Sequence, residues 1–487
     1  MGSEIKTFVV VLYLLIFLVL SVYSFHRMAI LFLYYKHNKK RLRRPPQIDL
    51  KHNPSVTIQL PIYNEMYVAQ RVIEAISKFN YPKELMHIQI LDDSTDQTVE
   101  ITRTCAAHLA ERGYQVTYRH RTDRKDYKAG ALQEGLLLSN DDLVAIFDAD
   151  FIPPPDFLKR VIPYFQDPEV GMVQARWGYI NEDYSLLTRI QAMLLDGHFM
   201  LEHAARHFSG RFFNFNGTAG IWRRQAILES GGWQGDTLTE DLDMSYRAQL
   251  TGWRFVFLPD LVCPSELPVE IFALKNQQHR WTKGAIQTCK KLLPSIWKSA
   301  LPLRVKMEAT FHLSTNFNYP LLVLLTVLTP PSLIFRYQIG LGGLIGLELP
   351  LFVFTIVSIA VFYLAAQIEQ GRDWKRRIGY IPIIIAFGIG ICIHNARAVV
   401  EALCSKHSPF VRTAKYGIET VLDGWRGKTY RTLNRRIPIL EAGMALYLTG
   451  TFGMLVMVKN WGSLSLVLLF ITGYAYVFGL SLMHAKK

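Results

Sequence analysis

The placement of long uncharged apolar runs limits this chain more than any other feature. One run, residues 8–25, lies near the N-terminus, and four more, at 317–335, 344–366, 440–458 and 464–482, fill the last third. Each is about long enough to cross a bilayer as a helix. The first lacks a small-residue cleavage site, so it reads as a retained membrane helix. Between the runs the composition is mixed and punctuated, as in a water-soluble domain. At 487 residues the chain is too long for one ordinary domain. A soluble domain held between membrane helices is therefore expected.

Basic residues flank the apolar runs. Lys36, Lys39, Lys40, Arg41, Arg43 and Arg44 follow the first, and residues 406–436 carry about eight Lys and Arg. The net charge of +14 thus reads as the positive-inside pattern of a membrane protein. No nucleic-acid module is recognisable, so nucleic acid is excluded as a partner. The chain from residue 36 is expected in the cytoplasm, with the N-terminus outside. Residues 378–404 are also largely apolar, but basic segments lie on both sides, and both cannot be inside if this segment crosses once. It is expected not to cross. It would lie at the inner interface or under neighbouring helices, with Gly388, Gly390, His394, Asn395 and Arg397 facing protein or a polar channel. That leaves five spans and a cytoplasmic Lys486-Lys487; a sixth crossing is the alternative. The five cysteines are scattered without a C-x-x-C pair, which fits reduced structural thiols better than disulfides or zinc.

From residue 55 strands and helices alternate. Strands are expected at 56–60, 88–91, 116–119, 143–147 and 170–175, and helices at 68–79, 98–112, 128–138 and 156–165. This alternation predicts a doubly wound α/β domain. Its centre is Leu143-Val-Ala-Ile-Phe-Asp-Ala-Asp150, five apolar residues that read as a buried strand ending in two carboxylates. Ligands gather at the carboxyl ends of such strands. Asp148 and Asp150 would share one hard cation, Mg²⁺ or Mn²⁺, together with substrate phosphates. Aspartates are also ordinary turn residues, so the weight of this pair comes from its company.

Residues 185–207 read as a longer helix and 213–222 as a glycine-bearing loop. Thr239 reads as the N-cap of a helix reaching about residue 250, with Glu240 and Asp241 in its first turn. Residues 255–258 close the domain as a strand. Residues 270–305, rich in Lys, Arg, Trp and Leu, read as amphipathic helices on a membrane surface. The expected plan is a membrane helix at 1–36, a basic linker at 37–54, the α/β domain at 55–265, interface helices at 266–310 and a membrane bundle at 311–487.

Four motifs, Asp92-Asp93, Asp148-Ala-Asp150, Thr239-Glu240-Asp241 and Gln277-x-x-Arg280-Trp281, occur in that order. The set resembles the processive family 2 glycosyltransferases: cellulose synthase, hyaluronan synthase and the cellulose-synthase-like enzymes. The resemblance covers roughly residues 55–425. The phrases N-G-T-A-G-I-W from Asn216, S-E-L-P from Ser265 and Q-Q-H-R-W from Gln277 are most similar to the branch that makes mannan, glucomannan or glucan backbones. The resemblance implies an α/β GT-A (Rossmann-like) catalytic domain in the cytoplasm, feeding a channel of membrane helices. It places Tyr63 and Glu65 beside the nucleotide base, with Asp93 on the nucleoside and Lys128 on the donor. It puts Asp148 and Asp150 at the diphosphate and metal, and makes Asp241 the general base, with Glu240 beside it. Gln277 and Arg280 would hold the diphosphate, while Trp281, Asn216, Gly217 and Thr218 would meet the acceptor. Phe410-x-x-Thr413-x-Lys415 resembles the gating loop that closes over the donor, here within residues 405–418, with Arg412 in place of the usual Val. Phe151 after the aspartate pair and the Asn216-Gly217 pair depart from cellulose synthase, which has His and Cys-Gly there. Regulation by a C-terminal cyclic-dinucleotide-binding domain is not expected.

The expected activity is inverting, processive polymerisation of a β-linked glucan, mannan or glucomannan from UDP-glucose or GDP-mannose, with secretion through the chain's own channel. The implied setting is a plasma, inner or Golgi-type membrane. Transfer of a single sugar to a polyprenyl phosphate or other lipid is the alternative. A sugar nucleotide is already activated, so one carboxylate base suffices beside a cationic grip on the leaving diphosphate. Arginine holds phosphate in a bidentate way that lysine cannot copy.

Overall fold

The computed structural model describes residues 2–38, 53–406, 410–430 and 438–485. Most of the expected basic linker, Lys486-Lys487 and part of the gating-type loop therefore lie outside the described residues.

Among the described residues seven strands form one sheet: β1 (Val56–Ile62), β2 (Met86–Asp92), β3 (Gln115–His120), β4 (Leu143–Ile146), β5 (Val170–Tyr179), β6 (Gly220–Arg223) and β7 (Arg254–Ser265). Their order is β3-β2-β1-β4-β6-β5-β7. Strands β1 to β4 pair in parallel, with the chain reversing direction across the sheet between β1 and β4. That reversal opens a crevice at the strands' carboxyl ends. Glu65, Asp93, Asp148 and Asp150 all follow the ends of β1, β2 and β4. Of the central strands β4 is apolar on both faces, whereas β1 and β2 carry Thr57, Gln59, His87 and Gln89 on one face, where Gln59 donates to Gln89 at 3.0 Å. Leu143, Val144, Ala145, Ile146 and Phe147 are fully buried.

Two departures from the sequence reading bear on the site. Residues 213–222 run into the short strand β6, which lies antiparallel between β4 and β5. It escapes a pattern search because only four residues pair. The helix expected at 185–207 is interrupted by a π-helical segment, Gly197–His203. It begins at a Ser185–Thr188 capping box.

Among the described residues five helices are long and apolar enough to cross a membrane: Gly2–His37, Leu303–Gln338, Gly342–Glu369, Ile439–Met457 and Trp461–Ala485. The second starts before the expected domain boundary at 310, so that boundary falls inside a helix. Residues 374–403 form a pair of helices bent by 42°. At one end Arg372 and Arg377 bind Glu182 of the α/β domain at 2.8 and 2.5 Å. At the other, Lys290 of the long helix Ile271–Lys298 caps the carbonyls of Ala402 and Leu403, both at 3.1 Å. The first end thus docks on the α/β domain and the second on the helix Ile271–Lys298; a pair bent this way is a broken span or a re-entrant loop. At its elbow a Cβ on Gly390 would lie 2.2 Å from the carbonyl oxygen of Gly473, so the helices meet backbone to backbone. Asn395 is buried as expected. Gly388 faces open space, and Arg397 is 66% exposed and paired to Glu401, so these two do not face protein.

If residues 378–404 return to the side they left, a cysteine at Leu422 should be protected from an impermeant thiol reagent in sealed cells lacking the native cysteines. A cysteine at Gln338 should react. Labelling at 422 would establish the sixth crossing.

Candidate active site

The crevice at the strand ends is a cleft lined by Tyr63, Glu65, Asp93, Lys128, Asp148, Asp150, Asn216, Gly217, Glu240, Asp241, Gln277, Arg280, Trp281, Thr413 and Lys415. Residues from positions 63 to 415 of the chain therefore meet in one place. Thr218 is the exception among the expected site residues. It is fully buried, and its hydroxyl accepts the backbone N–H of Asp148 at 2.8 Å. It holds the aspartate from behind and does not face the cleft.

Each carboxylate of the aspartate pair has a lysine partner. Lys128, on the helix Tyr127–Leu137, donates to Asp148 and to the carbonyl of Gly217. Lys415 lies 2.6 Å from Asp150 and also donates to the Glu266 carbonyl. Burial raises the Asp148 carboxyl above its usual range, and Lys128 opposes the rise. Glu65 is pushed up to about 8, chiefly by burial, with Arg412 pulling against it and Asp150 and Asp148 adding to it. Asp93 is gripped by both arms of Arg121, at 2.7 and 2.6 Å. Arg124 lies 3.3 Å over the Tyr63 ring. One face of that ring is therefore covered.

The opposite wall comes from two helices. Gln277, Arg280 and Trp281 share one face of Ile271–Lys298, at i, i+3 and i+4. Arg280 lies 4.8 Å over the ring of Phe410, and Trp281 sits 6.5 Å from Trp177. Asp241 is in the first turn of Glu240–Leu250. Thr239 makes no side-chain capping bond there; its hydroxyl lies 3.4 Å from that of Thr288. Asp241 Oδ1 instead accepts the N–H of Leu242 at 2.8 Å. The two helices touch at Gly284, where a Cβ would lie 2.5 Å from a methyl carbon of Thr239. This contact sets the turn that carries Asp241 against the Arg-Trp face. On the other side Gly217, at φ +80°, brings the loop so close that a Cβ would stand 3.0 Å from Asp241 Oδ2. Burial and Glu240 push the Asp241 carboxyl up to about 7, with Lys128 and Arg280 opposing.

Several contributors are not visible as motifs. Arg121, Arg124 and Trp177 read as surface or strand residues in sequence. Gln174 holds the 216–219 loop through Asn216 N–H and the carbonyls of Thr218 and Ala219. Gly284 does carry a signal, since a glycine inside a helix generally marks a close contact. Asp126 and Tyr127 both adopt positive φ just before Lys128. That is a costly conformation for a tyrosine, and it stacks Tyr127 on Phe410 at 5.3 Å.

Two adjacent carboxylates at the mouth of a cationic cleft fit a hard divalent cation whose remaining ligands come from a diphosphate. Among the described residues no cluster of three His, Cys, Asp or Glu could hold an ion without such help.

The mixed sheet and its crevice define a transferase domain of the GT-A type. Residues 53–284 match the glycosyltransferase-like family 2. Glucomannan 4-beta-mannosyltransferase 1 of Oryza sativa subsp. japonica is 42% identical over 277 residues, 56% of this chain and 53% of that protein. Probable glucomannan 4-beta-mannosyltransferase 9 of the same species is 35% identical over 418 residues, covering 81% and 75%. Glucomannan 4-beta-mannosyltransferase 7 of Arabidopsis thaliana is 43% identical over 251 residues, covering 50% and 45%. The match to the first of these spans about half of that protein's length. A solved mannosyltransferase from Pyrobaculum calidifontis, in complex with GDP-Man and Mn²⁺, is 18% identical with a TM-score of 0.48, covering 80% of this chain and all of that one. The chain belongs to glycosyltransferase family 2, alongside the cellulose-synthase-like proteins named glucomannan mannosyltransferases.

Asp241 accepts a proton only when ionised, and its carboxyl sits at about 7. Transfer should therefore rise about tenfold per pH unit below that value and level off above it. Lys128→Met removes a charge that holds Asp241 down, so the midpoint should move to higher pH. A flat profile across the range would exclude Asp241 from proton transfer.

Proposed function

We propose that this chain is a membrane-embedded inverting hexosyltransferase that builds a β-linked mannan- or glucomannan-type polymer from a nucleotide sugar. GDP-mannose is the first donor to test and UDP-glucose the second. The observation that carries this reading is the single cleft in which Asp241, the β4 carboxylates and the Gln277-Arg280-Trp281 face converge. Similarity to the glucomannan 4-beta-mannosyltransferases favours a mannosyl donor.

The chemistry follows from the positions. Asp241 takes the proton of an acceptor hydroxyl as its oxygen attacks the anomeric carbon. The bond from that carbon to the diphosphate oxygen breaks, and the nucleoside diphosphate leaves. Arg280, Lys128 and Lys415 face the departing charge and offset it. A single displacement inverts the centre, so an α-linked donor gives a β-linked product. Trp281 offers a flat apolar face to the ring of the acceptor sugar. Asp148 and Asp150 would hold Mg²⁺ or Mn²⁺, which when bound supplies further charge stabilisation at the diphosphate. The apolar helices support a membrane setting for the reaction, and in this reading the α/β domain lies on the cytoplasmic side. Processive extension and secretion through a channel below Trp281 complete the reading.

Asp241→Asn keeps the size of the side chain but cannot accept the proton. Polymer formation should fall by about two to four orders of magnitude, while nucleotide binding by purified protein changes little. Loss of nucleotide binding with normal residual turnover would move the base to another residue, Glu240 first. Trp281→Ala should abolish polymer yet retain slow donor hydrolysis, because water needs no stacking surface. Chelation by EDTA should stop transfer, and Mn²⁺ or Mg²⁺ should restore it; full activity in chelator would remove the metal. A product of one sugar on a lipid would replace the polymerase reading with the single-transfer one.

A further inference from the structure

The helix Ile271–Lys298 and the second apolar helix, Leu303–Gln338, are joined by a short elbow at residues 299–302. Large apolar side chains point outward on both sides of it. Trp297 is 44% exposed, Leu303 64% and Met307 43%. Leu303 and Met307 stand at i and i+4 and share one helix face. The indole of Trp297 is held in place, because its Nε1 donates to Thr310 Oγ1 at 3.1 Å. A fixed apolar cluster of this kind is costly to leave in water.

The first apolar helix gives the depth of the elbow. It runs antiparallel to the second: the Tyr23 hydroxyl lies 2.9 Å from Ser314 Oγ, and His26 stacks on Phe311 at 4.2 Å and reaches Glu308 at 3.0 Å. The first apolar run ends at Phe25, with His26 and Arg27 next. Leu303 and Arg304 lie about one turn beyond Glu308 in the same direction, which is the level of the headgroups. Tryptophan is at home at that level, and lysine and arginine stems reach across it. Four cations border the apolar cluster: Arg211, Lys298, Arg304 and Lys306. Lys306 donates to the Trp297 carbonyl at 3.0 Å. Burial pushes the Arg211 guanidinium below its usual range, Glu308 opposes this and Arg304 adds to it, so the two arginines stand near each other. Glu308 is itself taken by Arg206 and His26. Among the described residues none of the four cations forms an ion pair with a carboxylate.

We infer that this elbow is a docking surface for anionic phospholipids of the surrounding bilayer. Trp297, Leu303 and Met307 enter the upper acyl layer, and Arg211, Lys298, Arg304 and Lys306 face the headgroups. The apolar contact accepts any lipid, and the charges make the choice. A basic side chain beside an anionic headgroup favours it by about fivefold. Lipid fits better than a protein partner because the surface opens a span-length helix and continues into it. The helix that ends at Lys298 also carries Gln277, Arg280 and Trp281, so bound lipid steadies the far end of that wall of the cleft. The inference needs only a bilayer around the apolar helices and is independent of donor and product.

The test uses the full-length chain without its native cysteines, carrying Met307→Cys labelled with a small fluorophore. It is reconstituted in phosphatidylcholine vesicles that contain, at equal mole fraction, brominated phosphatidylcholine or brominated phosphatidylglycerol. Bromine quenches only on contact. Both lipids should quench the label, and phosphatidylglycerol should associate about fivefold more strongly. With Lys298→Gln, Arg304→Gln and Lys306→Gln combined, quenching should persist and the ratio should fall to about one. Lys298→Arg, Arg304→Lys and Lys306→Arg combined keep the charges and should keep the ratio. High salt on the parent should lower the ratio in the same way, a measurement that needs no charge variant. Absence of quenching by either lipid puts the elbow in water or against a protein and overturns the inference. Equal quenching by the two lipids in the parent overturns it as well, as does a ratio that survives both the glutamine variant and high salt. Nucleotide binding plays no part in the readout, so these outcomes are separate from the fate of the transferase reading.

Discussion

Two carboxylates at the end of a buried strand would repel each other strongly without cations beside them. Lys128 and Lys415 supply those cations, and much of the molecule is arranged to deliver them. Lys128 stands one residue into a helix whose entry is strained at Asp126 and Tyr127. Lys415 comes from a loop some 265 residues away in sequence from its partner. That loop is tied down through Glu266, whose carboxylate accepts the backbone N–H of Tyr416 at 2.8 Å. Arg71 bridges Glu266 and Glu419, at 3.4 and 2.9 Å. Removing one member of such a buried pair strands the other, which costs more than the pair itself contributes. The same cations face the place where a leaving diphosphate would bring its negative charge, so the resting ion pairs and the proposed chemistry draw on one set of groups.

The helix Ile271–Lys298 joins the two halves of the chain because it is used on both sides. Gln277, Arg280 and Trp281 face the cleft. Lys275, His279 and Lys283, spaced four apart, face away. Lys275 binds Glu441 at 2.8 Å with both side chains buried, and His279 lies 3.0 Å from Glu401. A purely amphipathic helix on a membrane surface would leave its polar face in water. Here one polar face looks into the cleft and the other is neutralised by carboxylates from the membrane region.

Much of this was legible in the sequence. Strict apolar runs mark the spans, β4 announces itself as a continuous apolar run, and β1 and β2 as short alternating ones. The carboxylates that follow them inherit their place from the strand ends. What stayed hidden depends on contacts between distant segments. β6 is too short to leave a period. Thr239 looks like a cap, yet its hydroxyl turns to Thr288 because Gly284 brings the neighbouring helix within reach. Thr218 sits among cleft residues in sequence and behind them in space, since β6 begins two residues later and alternation turns the side chain inward. Arg121 and Arg124 carry no pattern that separates them from solvated arginines. Their role appears only once β3 is paired to β2.

The α/β domain is fastened to the apolar helices by charged and hydrogen-bonded side chains at many points. Gln367 of the third helix donates to Asp196 at 2.8 Å, Arg206 binds Glu308 of the second at 3.0 Å, and Glu182 takes two arginines beside the bent pair. Cutting the chain at the domain borders would leave Glu182, Lys275 and Glu441 as orphaned charges on surfaces that also carry large apolar patches. For protein engineering, the smallest sensible unit is therefore the whole chain in detergent or lipid, and a swap of catalytic domains between relatives has to carry the matching helix-end residues with it.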